Sequence, residues 1–496
     1  MKATLFASYL TQVYISLIGI ILMPVYLNYL GAEAFGLVGL LIMLQALMPI
    51  LDMGLTPVLM REMSRFRAGK LTAFEAGSRL RTLEIILGTV AIVLVVLLWV
   101  CGDWIGAIWL SAAELPKEVI ARSVTLIGVA ATLRWLTGLY RATLTGLEYQ
   151  NYLNGISAVF ATLRFAGVLP LLMYISSSPE WFFAFQAGVG FIELAAFAKI
   201  AHGLIPVNVR IRPDWRALMS MLPMVGSMSI LVVIWSVGTQ VDKLILSGLL
   251  PLKEYGYFSL ATVAASGILV LAPPLNQVIQ PRLNILVERG EEGVLTELYR
   301  LVSQLAVIAF SGLGGGVAFF AEPLLRIWSG SDEVAHMAAP VLFWYGLGNA
   351  IVGILILPFM LQFARGRLRL HVLGNLVFLV IFVPILIYAA RYWGAVGAGR
   401  VYFASNLLFL FLWVPLVHRH FLPTLGWQWL FRDTLPIALV MLGVFAVASW
   451  ALPQAWHAPE SLALIGLSSV LAVFFGMLLG EKSRLFLLQL FSLREQ

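Results

Sequence analysis

The sequence is poor in the residues that soluble proteins use most. Only 11% of its 496 residues are charged and 61% are hydrophobic, which gives a mean hydropathy of +0.94. A soluble domain is about one quarter charged, so this composition excludes an ordinary water-soluble fold. Cys101 is the single cysteine, which excludes a disulfide framework and a thiolate metal cluster.

Catalytic and nucleotide-binding signatures are missing as well. The segment RAGKLT (67–72) contains Gly-Lys but lacks the earlier glycine and the Gly-Lys-Ser/Thr ending of a P-loop. No HExxH motif occurs, and His418 and His420 flank Arg419 in a predicted cytoplasmic loop, where we expect solvated side chains. No predicted outward loop exceeds roughly a dozen residues. We therefore predict neither an enzyme nor a protein that binds a metal or cofactor.

Long apolar runs take the place of these features. A helix needs about 20 mostly apolar residues to cross a hydrocarbon core of about 30 Å. Fourteen runs qualify, near 4–30, 36–60, 83–110, 120–146, 152–176, 180–203, 219–250, 254–281, 298–328, 335–362, 368–390, 395–417, 433–452 and 460–480. The first run lacks a small-residue cleavage site, so we expect a retained helix. The sequence predicts an all-α polytopic membrane protein with about 14 transmembrane helices.

The basic residues are concentrated after alternate spans, on one side of this arrangement. That side carries Arg61, Arg65, Arg67, Lys70, Arg79, Arg81, Arg210, Arg212, Arg216, Arg282, Arg289, Arg300, Arg365, Arg367, Arg369, Lys482, Arg484 and Arg494. The opposite loops carry only Lys117, Arg122, Lys253, Arg326 and Arg391. This positive-inside bias predicts that both termini are cytoplasmic. Because the positive-inside bias accounts for most of the net charge of +7, nucleic acid is not an expected partner.

Two parts of the sequence, about 220 residues apart, resemble each other. YLGAEAFGLVGLL (29–41) aligns with LLPLKEYGYFSLA (249–261), which places Gly36 opposite Gly256. Three more pairs follow in the same order at nearly the same offset: LDMGLTPVL (51–59) with LAPPLNQVI (271–279), FRAGK (66–70) with VERGE (287–291), and GAIWLS (106–111) with LRIWSG (325–330). The alternative is a chance likeness between apolar helices joined by short glycine-containing loops.

The spacing of the two copies predicts a parallel repeat. Six spans separate them, and an even number gives both copies the same orientation, as in transporters built from two rocking bundles. We predict an N-lobe at 1–207 (spans 1–6) and a C-lobe at 208–422 (spans 7–12). Residues 423–496 then hold two extra helices and the tail EKSRLFLLQLFSLREQ, which we expect in the cytoplasmic interface.

Ionisable residues inside the membrane are the candidate functional groups, since each costs about 2.5–3.5 kcal/mol to insert. Span 4 carries a polar stripe at spacings of three and four: Arg134, Thr137, Arg141, Thr145 and Glu148. Such a stripe predicts one wall of a water-filled cavity. A helix-packing seam with internally satisfied arginines is the alternative.

The charge balance of this region favours an anionic substrate. Arg164 lies in span 5 at a depth similar to Arg134, and Glu193 in span 6 is the one nearby acid that we place within the membrane. One carboxylate cannot neutralise three arginines, so we predict a cationic cavity suited to a phosphate or diphosphate. Glu193 is either a coupling carboxylate or an ion-pair partner of these arginines. Asp52, in the inner part of span 2, is a further coupling candidate.

Asp242 and Lys243 are adjacent charges within span 7. Successive helical residues point about 100° apart, so we expect Lys243 to face the cationic cavity and Asp242 to pack against another helix. Arg400 in span 12 is the depth-matched partner predicted for Asp242.

Two local patterns resemble the Wzx-type flippases of lipid-linked oligosaccharides, the polysaccharide-transporter family of the multidrug/oligosaccharidyl-lipid/polysaccharide (MOP) exporter superfamily. VDKLILSGLLPLKEYGYFSLA (241–261) resembles the family's pattern in spans 7 and 8. LDMGLTPVLMREMSR (51–65) resembles its Asp-x-Gly…Arg signature, with Asp52, Gly54 and Arg61 at the matching positions.

The resemblance implies a substrate and a location. The substrate would be an undecaprenyl-diphosphate-linked glycan, such as an O-antigen repeat unit, moved from the cytoplasmic to the periplasmic leaflet of the bacterial inner membrane by alternating access. Coupling to an ion gradient, with protons as the expected ion, is implied too. Membrane lipids and other polysaccharide assembly proteins are the implied partners.

Three other functions stay open at the level of the sequence. A lipid II flippase of the same superfamily would also have fourteen spans and a cationic cavity. A drug or cation antiporter of the superfamily is disfavoured by the arginines, because it requires an acidic cavity. A membrane glycan polymerase is disfavoured by the short outward loops.

Overall fold

The computed structural model describes residues 2–205, 213–450 and 458–492, and these ranges are helical with no β-strand. The fold class predicted from the sequence is therefore confirmed. The chain divides into two compact units, Met1–Ser259 and Leu260–Gln496. The predicted lobe boundary at 207/208 lies outside the described residues, as do Arg210, Arg212 and Arg494, so the lobes stay a prediction.

The first unit is built from ten helices and the beginning of an eleventh in its described residues. They are α1 (Lys2–Leu30), α2 (Ala32–Leu47), α3 (Pro49–Asp52), α4 (Leu55–Arg67), α5 (Ala73–Trp104), α6 (Lys117–Gly146), α7 (Gln150–Phe165), α8 (Leu169–Tyr174), α9 (Pro179–Leu204), α10 (Trp215–Leu249) and α11 (Leu252–Ser266). A π-helical turn, Ile105–Trp109, extends α5. Thr72 caps α5 through a capping box with Glu75, in which each side chain bonds the other residue's backbone N–H, at 3.2 and 2.8 Å.

The second unit contains the end of α11 and nine further helices in its described residues. They are α12 (Ala272–Arg289), α13 (Glu292–Phe319), α14 (Ala321–Ser329), α15 (Asp332–Ala364), α16 (Arg369–Leu408), α17 (Val414–Phe421), α18 (Leu435–Trp450), α19 (Ala458–Leu479) and α20 (Glu481–Ser492). Single turns connect some of them: a 3₁₀ turn at Gly267–Leu271 and π-helical turns at Phe409–Trp413 and Trp429–Thr434.

Thirteen helical segments in the described residues are long and apolar enough to cross a membrane. Twelve correspond one to one with predicted spans, and the thirteenth, Arg369–Phe421, has 53 residues. That length is about 80 Å of helix, far more than one hydrocarbon core. Gly394 breaks it with φ 57° and ψ −147°, between the predicted spans 368–390 and 395–417. The protein is thus a multi-pass membrane protein whose spans agree with the sequence.

Two glycines at equivalent positions of the predicted repeat make reciprocal close contacts within the first unit. A Cβ added at Gly36 would come within 2.5 Å of the carbonyl oxygen of Leu252, and one added at Gly256 would overlap the carbonyl oxygen of Ala32. Ala32 and Leu252 are themselves equivalent in the repeat alignment. Helices α2 and α11 therefore cross at backbone contact, which small residues permit.

A short loop is attached to the first turn of α2. Glu33 is buried, and its carboxylate accepts the backbone N–H groups of Ala113, Glu114 and Leu115 at 2.5, 2.8 and 2.7 Å. The backbone N–H of Leu252 donates to the carbonyl oxygen of Ser111 at 2.8 Å. The loop after α5 is thus fixed to the beginnings of both α2 and α11.

The core of the second unit contains a histidine for which the sequence predicted a solvated side chain. His418 is fully buried, its Nε2 lies 2.8 Å from the Tyr299 hydroxyl, and its ring meets that of Trp429 at 4.8 Å. The expectation of a solvated His418 is therefore wrong. The reason is that α17 turns Val414, Val417 and His418 together into the core. His420, on the other face, is exposed.

A buried carboxylate connects three elements of the second unit. Asp433 accepts hydrogen bonds from Arg300 Nε at 2.8 Å, from Arg300 Nη2 at 3.0 Å and from Gln304 Nε2 at 2.6 Å. The other amide atom of Gln304 accepts the backbone N–H groups of Lys482 and Ser483, both at 2.9 Å. Asp433 thereby joins α13 to the turn before α18 and to the start of α20.

Replacing Asp433 by alanine is expected to destabilise the protein by about 3 kcal/mol, because Arg300 would lose its buried bidentate partner. The measurement is the thermal unfolding midpoint in detergent. Glu481→Ala is the matched control, since Glu481 contacts the same arginine at 3.1 Å with a side chain that is 57% exposed. We expect a loss of about 1 kcal/mol or less for that variant. Equal midpoints for the two variants would contradict this account.

Candidate functional site

The polar stripe predicted on span 4 lies on α6, but its members play unequal parts. The hydroxyls of Thr137 and Thr145 each donate to the carbonyl oxygen four residues earlier in the same helix, both at 2.9 Å. Glu148 lies beyond the end of α6, is exposed and has φ 64°. Its inclusion in the stripe is wrong, because this left-handed turn carries it off the helix. Arg134 and Arg141 are the side chains that reach across to other helices.

The carboxylate of Glu193 is shared between two of the predicted arginines. Its Oε1 accepts a hydrogen bond from Arg141 Nη2 at 2.7 Å, and its Oε2 accepts one from Arg164 Nη1 at 3.3 Å. The Glu193 side chain is 1% exposed. The three residues belong to α6, α7 and α9, so this ion triplet joins three helices and gives Glu193 the ion-pair role considered above.

The third arginine has a neutral partner. Arg134 Nη1 donates to the side-chain oxygen of Gln45 on α2 at 2.8 Å, and Arg134 lies within electrostatic range of Arg164, Glu193 and Arg141. We call Arg134, Arg141 and Arg164 the arginine cluster. Its three positive charges face the single negative charge of Glu193, so the group carries a net positive charge.

The arginine cluster has hydrogen-bonding capacity left over. The Arg164 side chain is 8% exposed, and its Nε has no hydrogen-bond partner in the described part of the chain. The Arg141 side chain is 36% exposed and its guanidinium lies over the Phe197 ring, 5.1 Å from the centroid. The Arg141 guanidinium is therefore both paired and accessible, and its remaining N–H groups can donate hydrogen bonds to a second anion.

The side chains of Asp242 and Lys243 form an ion pair with each other, although helical geometry predicted that they point in different directions. Asp242 is buried, and Lys243 Nζ lies 3.5 Å from its Oδ1 while donating to the carbonyl oxygen of Thr239 at 2.9 Å. The long lysine side chain folds back along α10, so its ammonium group does not lie where the direction of the Cα–Cβ bond would place it. Arg400 lies on α16 in the second unit and is exposed, and its pairing with Asp242 stays a prediction.

Asp52 has a local structural role. Its two carboxylate oxygens accept the backbone N–H of Thr56 at 3.0 and 3.2 Å. Met53 and Gly54, which lie between Asp52 and Thr56, have φ values of 48° and 81°. These left-handed residues separate the end of α3 from the start of α4. Asp52 thus caps α4, satisfying a free N–H of its first turn. A role in ion coupling stays a prediction.

Two partly buried polar groups of this region were not predicted from the sequence. Gln45 is a neutral amide in an apolar run, and only the spacing of arginines elsewhere could have signalled a partner for it. Glu84 accepts a hydrogen bond from the Tyr140 hydroxyl at 2.8 Å, and it also contacts Arg81 at 3.0 Å and His202 at 2.7 Å. Its position at the inner end of span 3, three residues after Arg81, was the available signal.

The described residues contain no group of three or more His, Cys, Asp and Glu side chains arranged to hold a metal ion. The fold and the cluster together define a multi-pass helical membrane protein in which three arginines and one glutamate lie close together among the helices.

Residues 2–286 match the family model described as "Polysaccharide biosynthesis protein". This match covers more than half of the chain, so the protein belongs to that polysaccharide biosynthesis family. A comparison with curated protein sequences finds no significant match.

Solved structures share the fold at low sequence identity. The lipid II flippase MurJ in an inward closed conformation is similar with a TM-score of 0.73 and 12% identity, over 96% of this chain and 98% of that one. An inward-facing multidrug resistance MATE family transporter of the MOP superfamily is similar with a TM-score of 0.64 and 14% identity, over 81% of this chain and 94% of that one. A mutant of the Vibrio cholerae MATE transporter VcmN is similar with a TM-score of 0.53 and 14% identity, over 84% of this chain and 97% of that one. The fold is therefore MurJ- and MATE-like, as the resemblance in sequence predicted.

Proposed function

We propose that this protein is a flippase for an undecaprenyl-diphosphate-linked oligosaccharide repeat unit. It moves this lipid from the cytoplasmic to the periplasmic leaflet of the bacterial inner membrane by alternating access, with both termini in the cytoplasm. Membership of the polysaccharide biosynthesis family and the fold shared with a lipid II flippase support the class of substrate. The charge of the candidate site supports the diphosphate part of this substrate.

The observation that carries the proposal is the excess of positive charge at the arginine cluster. A diphosphate brings at least two negative charges and several acceptor oxygens, which match the free N–H groups of planar guanidinium forks. A cationic drug would meet repulsion in the same place. The sugars would be bound by other polar side chains, because the cluster recognises only the diphosphate.

Ion coupling belongs to the proposal, with protons as the coupling ion. Glu193 is poorly placed to carry the proton. Its protonation would leave Arg141 and Arg164 without a counter-charge in a buried setting. Asp242, which is buried beside Lys243, is the better candidate.

The experiment is deletion of the gene, followed by analysis of lipid-linked glycans and complementation with single variants. The deletion strain is expected to accumulate the lipid-linked repeat unit on the cytoplasmic side and to lose the surface polysaccharide. Arg134→Gln should restore transport at least about tenfold less well than the wild type, since a charged hydrogen bond to the diphosphate is lost. This variant leaves no carboxylate unpaired, because the partner of Arg134 is the neutral Gln45.

Arg122→Gln is the matched control, because the Arg122 side chain is 73% exposed and lies 3.4 Å from Glu180 at the surface. It should complement fully. Accumulation of lipid II in the deletion strain would favour the lipid II flippase instead. Unchanged surface polysaccharide would refute the proposal.

A further inference from the structure

An apolar groove runs along the first unit between α7 and α9. It has a volume of about 500 Å³, within the range of about 300–1,000 Å³ typical of ligand sites. Gly155, Val159 and Phe160 form one wall, and Ala196 and Ile200 form the other. The Val159 side chain is 64% exposed, which for a membrane span means that the groove opens to lipid.

One end of this groove lies one helical turn from the ion pair of the candidate site. Phe160 stands one helical turn before Arg164 on α7, and Ala196 stands one turn after Glu193 on α9. The contact of 3.3 Å between Arg164 and Glu193 therefore joins the two walls where the apolar lining stops. Arg164, which keeps an unpartnered Nε in the described part of the chain, lies at that junction.

The opposite end of the groove lies near Asn151, at the start of α7. In the predicted topology this is the cytoplasmic end of span 5. The groove therefore occupies the cytoplasmic half of the membrane, about 14 Å of helix from Asn151 to Phe160. This is the leaflet from which the proposed substrate is taken.

We propose that this groove holds the first isoprene units of the substrate's polyprenyl chain while the diphosphate rests on the arginine cluster. The inference rests on the proposed function. Charge complementarity selects the occupant: a polyprenyl diphosphate has an apolar chain joined directly to an anionic head, and the apolar groove ends one helical turn from the arginine cluster. Linked head and tail contacts bind as one ligand, so each raises the effective concentration of the other.

Gly155 offers a way to block the groove without disturbing the fold. A Cβ at Gly155 would meet no atom within 4 Å, so Gly155→Phe can place its ring in the groove. Gly188→Phe on α9 is the matched control, because Gly188 is equally open and does not line the groove. Unchanged thermal unfolding midpoints for both variants establish that they fold.

The measurement is the binding of two probes, farnesyl diphosphate and inorganic diphosphate, to purified protein in phosphatidylcholine nanodiscs. Gly155→Phe is expected to weaken farnesyl diphosphate binding about tenfold while leaving inorganic diphosphate binding unchanged. Gly188→Phe should change neither. Because each probe is compared across variants, its partitioning into the bilayer cancels.

Two results would overturn the inference in distinguishable ways. If wild type and Gly155→Phe bind farnesyl diphosphate equally and both bind inorganic diphosphate, the chain lies elsewhere and the groove holds ordinary membrane lipid, while the proposed function stands. If the wild type binds neither probe, diphosphate recognition at the arginine cluster fails, and the proposed function fails with it.

Discussion

Replacing Glu193 by glutamine is expected to abolish transport and to lower stability by about 3–5 kcal/mol, because two arginines would lose their shared counter-charge in a buried setting. The Glu193 carboxylate contacts Arg141 and Arg164 at 2.7 and 3.3 Å, and its side chain is 1% exposed. The measurements are the thermal unfolding midpoint in detergent and transport by the complemented strain. Glu180→Gln on the same helix is the control, because its surface pair with Arg122 should contribute about 1 kcal/mol or less.

A second variant separates the structural role of this triplet from its role in binding. Glu193→Gln combined with Arg164→Gln removes one positive and one negative charge, so the unfolding midpoint should recover towards the wild type. Transport should stay low, since the diphosphate has lost an arginine. Recovery of both properties would show that Arg164 serves only to pair with Glu193, and a wild-type midpoint for Glu193→Gln alone would contradict the buried triplet.

Replacing Gly256 by alanine is expected to prevent stable folding or to lower the unfolding midpoint strongly, although alanine usually favours a helix. The added methyl group would overlap the carbonyl oxygen of Ala32, which is backbone and cannot rotate away. Helices α2 and α11 would have to separate, and overpacking of this kind typically costs about 1–3 kcal/mol or more. The measurements are the yield of monodisperse protein and its unfolding midpoint.

Gly238→Ala on α10 provides the opposite expectation for the same chemical change. A Cβ at Gly238 would meet no atom within 4 Å, so helix propensity alone should stabilise this variant by up to about 1 kcal/mol. Gly36→Ala should resemble Gly256→Ala, because the two contacts are reciprocal. If Gly256→Ala and Gly238→Ala behaved alike, the close crossing of α2 and α11 would be refuted.

The membrane spans were predictable because the signal for each is local. Continuous apolar runs of sufficient length reveal spans one at a time, and the gap between the runs near 368–390 and 395–417 coincides with the break at Gly394 in Arg369–Phe421. The ion pairs of Glu193 with arginines were partly predictable too, because the position of a residue along a span gives its depth in the membrane. One acid and three bases in neighbouring spans leave few pairings.

The remaining features depend on contacts that a single sequence does not display. Gln45 carries no charge, so nothing marked it as the partner of Arg134. His418 was assigned to a loop by counting from the preceding span, whereas one further turn of helix carries it into the core. Lys243 shows a third limit: four flexible side-chain bonds let its ammonium group reach Asp242 and Thr239 against the direction of its Cβ.

The attachment of the 111–115 loop to Glu33 has a consequence for how this region can change during evolution. All three groups that donate to the Glu33 carboxylate are backbone N–H groups. The side chains of Ala113 and Glu114 are exposed and take no part, so almost any residue can replace them. Proline is the exception, because it lacks the N–H. The side chains of this loop can thus change while Glu33 keeps its backbone anchored.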